Sequence, residues 1–419
     1  MKTLKSLVIT FAAVALLLAA IPAQAQLKLT ETDTTKLFIT LHTVGTAQAL
    51  THENVYGANG QALTQLSPGF QTAFGDLGFI GKFGRNEEIE VVFDMYLSSR
   101  NHPSQTYGNE GYILMRGVPE NLESIRFLKP LLDKVDVKAG HFLINFGDGL
   151  QRRSNNAIVQ KNPLVGNFVI DPNIVSIGME ISNKPSERLN WVIGAFNGTT
   201  TEDFNDNRGF GYHGKLSVNP IKSVRTSISY IASDQSGNPP KGQTGGSSTQ
   251  MFSGNRSGER YAGVLGGGQA PGGIFPQGGE KFSAAQFDIT FKNGSPLELY
   301  GHYGRTQDLD LNGSLAGAPE EKWAYYAGDV VFRLTKNVYA AARYSAADAE
   351  SIGGNLSSGK VQRYQAGGGL WLTRNLLMKL EYVDQTYTGF RAGEMVNNNI
   401  QAWRNPSFKG LISEVSFSF

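Results

Sequence analysis

Apolar and polar residues alternate with a period of two along most of this chain. Within 88–97, Ile89, Val91, Phe93, Met95 and Leu97 alternate with Glu88, Glu90, Asp94 and Tyr96, and only Val92 breaks the pattern. Ala285, Phe287, Ile289 and Phe291 alternate with Gln286, Asp288 and Thr290. Val224, Thr226, Ile228 and Tyr230 alternate with Arg225, Ser227 and Ser229, and Leu376, Met378, Leu380 and Tyr382 share a face opposite Lys379 and Glu381. Successive side chains of a strand point to opposite faces, so these are strands with one apolar and one polar side. Sixteen are predicted, near 36–46, 75–83, 86–98, 110–117, 134–143, 174–183, 188–198, 208–218, 221–233, 281–292, 296–307, 321–334, 337–348, 360–372, 375–388 and 408–419.

The connections between them alternate in length. Short turns are expected at Gly84–Arg85, Asn183–Ser186, Pro220, Asn293–Ser295, Thr335–Lys336 and Thr373–Arg374. Long loops rich in Gly, Asn, Ser and Pro are expected at 47–74, 99–109, 144–173, 199–207, 234–280, 308–320, 349–359 and 389–407. A soluble sandwich has no reason to segregate its loops in this way. An even number of antiparallel strands, with short turns at one end and long loops at the other, is the pattern of a transmembrane β-barrel. One connection departs from it: over 118–133, Leu122, Ile125, Leu128 and Leu132 have helical spacing, limited by Pro130, and predict a short structured connector.

The N-terminus sets the compartment. Lys2 and Lys5 precede an apolar run from Leu7 to Ala20, and Ala23-Gln24-Ala25 follows. That is the layout of a secretory signal peptide over residues 1–25, cut before Gln26. No later stretch is apolar enough for a membrane helix, so an exported chain that crosses a membrane must do so as a closed barrel over 26–419, with every backbone polar group paired. Composition agrees: 18% charged residues is low, 50 glycines is high, and there is no cysteine to build disulfides or thiolate metal sites. With 38 basic and 36 acidic residues there is no basic stripe for nucleic acid.

The chain ends Leu411-Ile-Ser-Glu-Val415-Ser-Phe417-Ser-Phe419, which resembles the terminal strand of outer-membrane porins. Tyr112, Tyr212, Tyr303, Tyr326, Tyr344, Trp371 and Tyr382 are placed to form interfacial girdles. Sixteen strands leave a water-filled bore unless something narrows it. The third long loop, about 144–173, is more apolar than the others through Ile158, Val159, Leu164, Val165, Phe168 and Val169, which suits packing inside the barrel. It also carries Arg152, Arg153 and Lys161, with Asp148 and Asp171 at its ends. Two roles follow for the arginines. At a constriction they favour anions; paired with wall carboxylates such as Glu88, Glu90 or Asp94 they anchor the loop. The bore lining is mixed, with acidic Glu88, Glu90, Asp94, Asp136, Glu180, Asp288, Glu298, Asp329 and Glu381 against basic Lys138, Lys215, Arg225, Arg333, Arg343, Arg363 and Lys379, so only the loop leans positive. Small inward residues such as Gly178, Gly194, Ala327, Ala341, Gly367 and Gly369 favour an open bore, and the Gly-rich loop 234–280 is expected to be a variable surface loop.

The strand Val135-Asp-Val-Lys-Ala-Gly140-His-Phe-Leu-Ile-Asn-Phe146-Gly147, leading into a long third loop, resembles the phosphate-selective porin O/P family. That resemblance implies a homotrimer of sixteen-stranded channels with anion preference from basic residues in the bore. Arg152, Arg153 and Lys161 are the loop positions of matching charge. The expected function is therefore an outer-membrane porin of a Gram-negative type bacterium, passing small hydrophilic solutes with mild anion preference, surrounded by membrane lipid and lipopolysaccharide. A substrate-specific anion channel for phosphate or small organic acids is the nearest alternative. An outer-membrane enzyme or a non-conducting structural barrel is more distant. Six scattered histidines show no ligand spacing, and no metal, cofactor or catalytic residue is implied.

Overall fold

The computed structural model describes residues 27–419 apart from 72, 99–105, 121, 172, 198–209, 235–259, 262, 266–280, 310–319, 353–354 and 397–399. The expected signal peptide therefore lies outside the described residues. The chain forms a closed antiparallel barrel of sixteen strands: β1 Thr35–Glu53, β2 Phe74–Phe83, β3 Ile89–Ser98, β4 Tyr107–Met115, β5 Val135–Leu143, β6 Val175–Asn183, β7 Leu189–Phe196 and β8 Gly211–Ile221, followed by β9 Val224–Asp234, β10 Lys281–Lys292, β11 Leu297–Leu309, β12 Glu320–Arg333, β13 Val338–Ile352, β14 Lys360–Trp371, β15 Leu376–Thr388 and β16 Ser407–Ser418. Each strand pairs with its sequence neighbours, and β1 closes the ring against β16 from His42↔Ser418 to Glu53↔Ser407. Two backbone bonds between Leu41 and Phe419, at 2.8 and 3.0 Å, lock the seam.

β1 runs seven residues past its expected end. Residues 47–53 keep the alternation, with Leu50 and His52 buried inward, but small and polar side chains disguise it as loop. A short leading strand, Leu27–Glu31, pairs with Lys36–Ile39 and continues the β16 edge beyond the C-terminus. The expected connector between β4 and β5 is a 3-10 turn, Glu123–Leu128, and one helical turn, Lys129–Leu132, of which Leu132 is buried.

Phe79, Phe93, Ile193, Ile228, Phe287, Leu299, Val330, Leu380 and Leu411 are exposed on the outer wall, where a soluble protein would place polar groups. Buried side chains of the inner wall are instead rich in Asp, Glu, Lys, Arg and Gln. This inversion is what lipid outside and water inside require. Tyr212, Tyr230, Tyr303, Tyr326, Tyr344, Tyr364 and Tyr382 line the outer wall, with Tyr344 stacked 4.9 Å from Tyr364 between ring centroids. Tyr112 and Trp371, expected among them, face inward: Tyr112 meets the buried Phe142 edge-on at 6.3 Å, and Trp371 packs against Tyr339 and Leu377. Ile113 and Leu370, their neighbours, take the outer positions, both exposed. Where adjacent residues are both apolar, alternation does not decide which one meets lipid.

Candidate functional site: the lumen and its third loop

The segment after β5, 144–174, folds into the barrel and touches wall strands around most of its circumference. A 3-10 turn, Gly149–Arg152, opens it, and the turn Asn155–Ile158, with Asn156 at φ 45°, reverses it. Its apolar residues Val165, Phe168, Val169 and Ile170 are fully buried, and Val165, Val169 and Ile170 join Trp323, Tyr325, Val383 and Tyr387 in one core inside the barrel.

Charged side chains fasten the loop. Arg152 donates to Asp329 on β12 at 3.2 Å and pairs with Glu298 on β11. Arg153 grips Asp171 with two bonds of 2.5 and 2.6 Å, closing the loop on itself. Asp148 pairs with Lys215 on β8 at 2.7 Å and Arg225 on β9 at 2.9 Å. Burial raises the Asp148 carboxyl, and these two cations outweigh it, so its pKa stays below the usual range. The arginines thus meet Glu298, Asp329 and Asp171, not Glu88, Glu90 or Asp94. Glu88 sits in the turn before β3 and accepts from Asn86, Glu90 pairs with Arg116 at 3.1 Å, and Asp94 accepts from Asn109 at 2.9 Å.

Wall cations from β13 to β15 face inward, but toward the loop backbone. Arg343 donates to Asp329 at 2.7 Å and to the Gly166 carbonyl at 2.9 Å. Arg363 donates to the Asn167 carbonyl at 2.7 Å. Lys379 reaches the carbonyls of Val159, Asn162 and Leu164, and pairs with Glu414 at 2.6 Å. Glu381 accepts from the Val165 and Gly166 amides. Orphan backbone groups of an irregular loop must be satisfied inside the membrane, and the wall side chains do it.

The loop 234–280 contributes as well. Its described residues Arg260 and Tyr261 are buried in the lumen, contrary to the expected surface loop. Arg260 pairs with Glu414 at 3.0 Å, and the Tyr261 hydroxyl bonds to Glu381. Small inward residues do not line open space either. A Cβ at Gly194 would lie 2.2 Å from the His213 ring, at Gly369 2.6 Å from the Tyr339 ring, and at Gly178 2.4 Å from the Ala195 carbonyl oxygen. They make room for neighbouring rings and backbone.

What remains open is narrower than the barrel. On the short-turn side of the loop lies a cavity of 640 Å³, lined in part by Asn145, Gln151, Arg152, Lys215, Arg225 and Glu298. Arg225 and Arg333 keep 39% and 48% of their side-chain surface in solvent. Lys138 lies between the Tyr112 and Phe142 rings at 4.2 and 4.1 Å. Lys161 is exposed, and no carboxylate among the described residues forms a salt bridge with it. Protein surrounds it while bore solvent reaches it. Its ammonium pKa is lowered, first by that enclosure and then by the Arg153 charge. Ser418 Oγ lies 2.6 Å from His42 Nδ1, and Asp76 is the cross-strand neighbour of His42. The Asp76 oxygens, however, accept from Asn156 and the Ala157 amide, so they orient the loop.

The sixteen-stranded barrel has counterparts among solved structures. The outer membrane channel DcaP of Acinetobacter baumannii matches with a TM-score of 0.56 at 10% identity, covering 94% of this chain and 100% of that one. The fold is that of the outer-membrane porins. The anion-selective porin from Comamonas acidovorans matches with a TM-score of 0.57 at 11% identity, over 92% of this chain and 100% of that one. OmpF of Salmonella typhi, in complex with daunomycin, matches with 0.51 at 9% identity, over 94% and 100%. No family model matches the chain, and no curated protein matches it. The likeness is one of fold.

Proposed function

We propose that this protein is an outer-membrane porin, exported by its N-terminal signal peptide, that passes small hydrophilic solutes by passive diffusion and mildly prefers anions. The observation that carries the reading is the charge arrangement inside a closed sixteen-stranded barrel. Arg152 and Arg153 are spent on buried carboxylates, whereas Lys161 is the loop cation left exposed in the bore. A positive charge that forms no salt bridge, enclosed by low-dielectric walls, attracts anions and repels cations. The trimer and the phosphate preference implied by the O/P family rest on resemblance. The dense pairing of Arg343, Arg363 and Lys379 with the loop leaves them no free face for stacked phosphate sites. The general-diffusion reading is therefore favoured over the substrate-specific one, and no catalytic role is assigned.

Planar-bilayer conductance of the purified protein across a KCl gradient tests this. Discrete steps with a chloride-favouring reversal potential are expected. Lys161→Gln should bring the reversal potential toward zero, and Lys161→Glu should move it to the cation side. Absence of conductance from a folded barrel would sink the channel reading, and an unchanged potential in both variants would sink the role of Lys161.

A further inference from the structure

The connector between β4 and β5 is the long link on the short-turn side, and the chain leaves part of its apolar surface uncovered. Its single helical turn packs on β5 and buries Leu132, at 1% exposure, while Leu128, four residues earlier, is half-buried. Phe127 and Leu131 each precede one of these two by a residue and so fall on a neighbouring face. There they keep 76% and 49% of their surface in solvent, and Leu122 keeps 37%. Single exposed apolar side chains are ordinary, but three on one short link make a patch that marks an interaction.

The position of the patch says what covers it. The connector does not project away from the barrel. Its first half lies on the turn between β2 and β3, where a Cβ at Gly84 would stand 3.3 Å from Pro119 and Arg85 pairs with Glu120 at 3.7 Å. It therefore runs along the rim. The outer wall is apolar up to that rim, because Phe83, Ile89, Met115, Val137 and Ile181 stand side by side in register from β2 to β6. The patch continues a surface built for lipid. Its charges also fit a bilayer edge. Lys129 is neutralised by Asp133 at 2.8 Å, as Glu120 is by Arg85. Arg126 and Lys134 are exposed and form no salt bridge among the described residues, against one remaining exposed carboxylate, Glu123. Cations beside exposed apolar groups suit the phosphates that border the acyl chains of a leaflet.

We propose that this connector is a membrane foot: Phe127, Leu131 and Leu122 enter the phospholipid leaflet on the short-turn side, and Arg126 and Lys134 meet its phosphate groups. The proposal rests on the porin reading for the membrane setting. It gives the barrel a fixed depth and tilt on this arc, since lipid holds the connector as well as the wall.

Because the chain has no cysteine, a bimane label on one introduced cysteine reports a single position in the full chain. Three variants are compared in phosphatidylcholine–phosphatidylglycerol vesicles: Phe127→Cys, Phe93→Cys on the outer wall, and Asn293→Cys in the short turn after β10. The heat-modifiable barrel band establishes folding in each. A phospholipid with a nitroxide high on its acyl chain should quench the label at 127 nearly as much as at 93, and roughly threefold more than at 293. Iodide on both sides of the membrane should show the opposite order. Adding Arg126→Glu and Lys134→Glu to Phe127→Cys should reduce its nitroxide quenching by about half, and unchanged quenching would overturn the phosphate contacts. Iodide quenching at 127 as strong as at 293 would put the patch in water. Protection from both quenchers would put a protein over it, a second copy of this chain included. Either result overturns the proposal. If the label at 93 also escapes the nitroxide, the membrane setting of the porin reading fails instead.

Discussion

If the third loop is held in the lumen by its own buried ion pair, the Arg153–Asp171 double-mutant cycle should show strong coupling. Both side chains are almost fully buried, at 1% and 3% exposure, and share two parallel bonds, with Asn167 adding a third to Asp171 at 2.9 Å. Arg153→Met leaves a buried carboxylate without its counter-charge, and Asp171→Asn leaves a buried guanidinium. Each should cost about 3–5 kcal/mol. The double variant removes both charges and replaces the pair with groups of similar volume, which is often close to neutral. The coupling then equals the sum of the two single costs, about 6–10 kcal/mol, well above the roughly 0.5–3 kcal/mol usual for residues in contact. At about 1.4 kcal/mol per decade, each single variant populates a detached loop on the order of 10²-fold more than the double variant does. Urea unfolding followed by tryptophan fluorescence reads the stability. Limited proteolysis within 144–174 and open-channel current noise read the loop. The double variant conserves net charge, so its reversal potential should match the wild type. Single costs that simply add, within about 0.5 kcal/mol, would refute the idea that this pair holds the loop.

Two further outcomes are expected. Gly367→Ala would place its Cβ 2.2 Å from the Leu380 carbonyl oxygen, a backbone atom of the paired strand, and should destabilise the barrel by about 1–3 kcal/mol; a folding yield and urea midpoint equal to wild type would contradict the clash. In the turn between β2 and β3, hydrogen bonds from Lys82 and then Lys36 hold the Glu87 carboxyl down to about 2. Its small contribution, present above the ordinary Glu value of about 4.3, should be lost as pH falls toward 2. Because these side chains are about one-third exposed, solvent screens the pair, and Glu87→Gln should flatten that acid limb without moving the unfolding midpoint appreciably at neutral pH; an unchanged acid limb would contradict the assignment.

How far the chain could be read depended on the range of each interaction. Strand positions, the sixteen-fold count and the segregation of short turns from long loops were legible because alternation and turn chemistry act over a few residues. The outward face of β3 or β10 follows directly from Phe93 or Phe287. The end of β1 was hidden because Ala, Thr and Gln carry too little contrast. The facing of Tyr112 and Trp371 was hidden because each has an apolar neighbour. That 144–173 would enter the lumen was legible in its apolar content. What holds it there was not: Arg152 meets Asp329 and Glu298, Lys379 meets carbonyls more than two hundred residues earlier, and Arg260 meets Glu414. Nothing local distinguishes an arginine that faces the bore from one that is buried against a carboxylate.

By itself, then, the order of residues determined a closed, lipid-facing sixteen-stranded barrel, because alternation must put one face of every strand in lipid and leave no backbone group unpaired. Only the tertiary structure decided which charges remain free. Pairing depends on where distant strands bring their side chains around the ring. It turned three expected cations of the loop into two buried anchors, Arg152 and Arg153, and one exposed ammonium, Lys161.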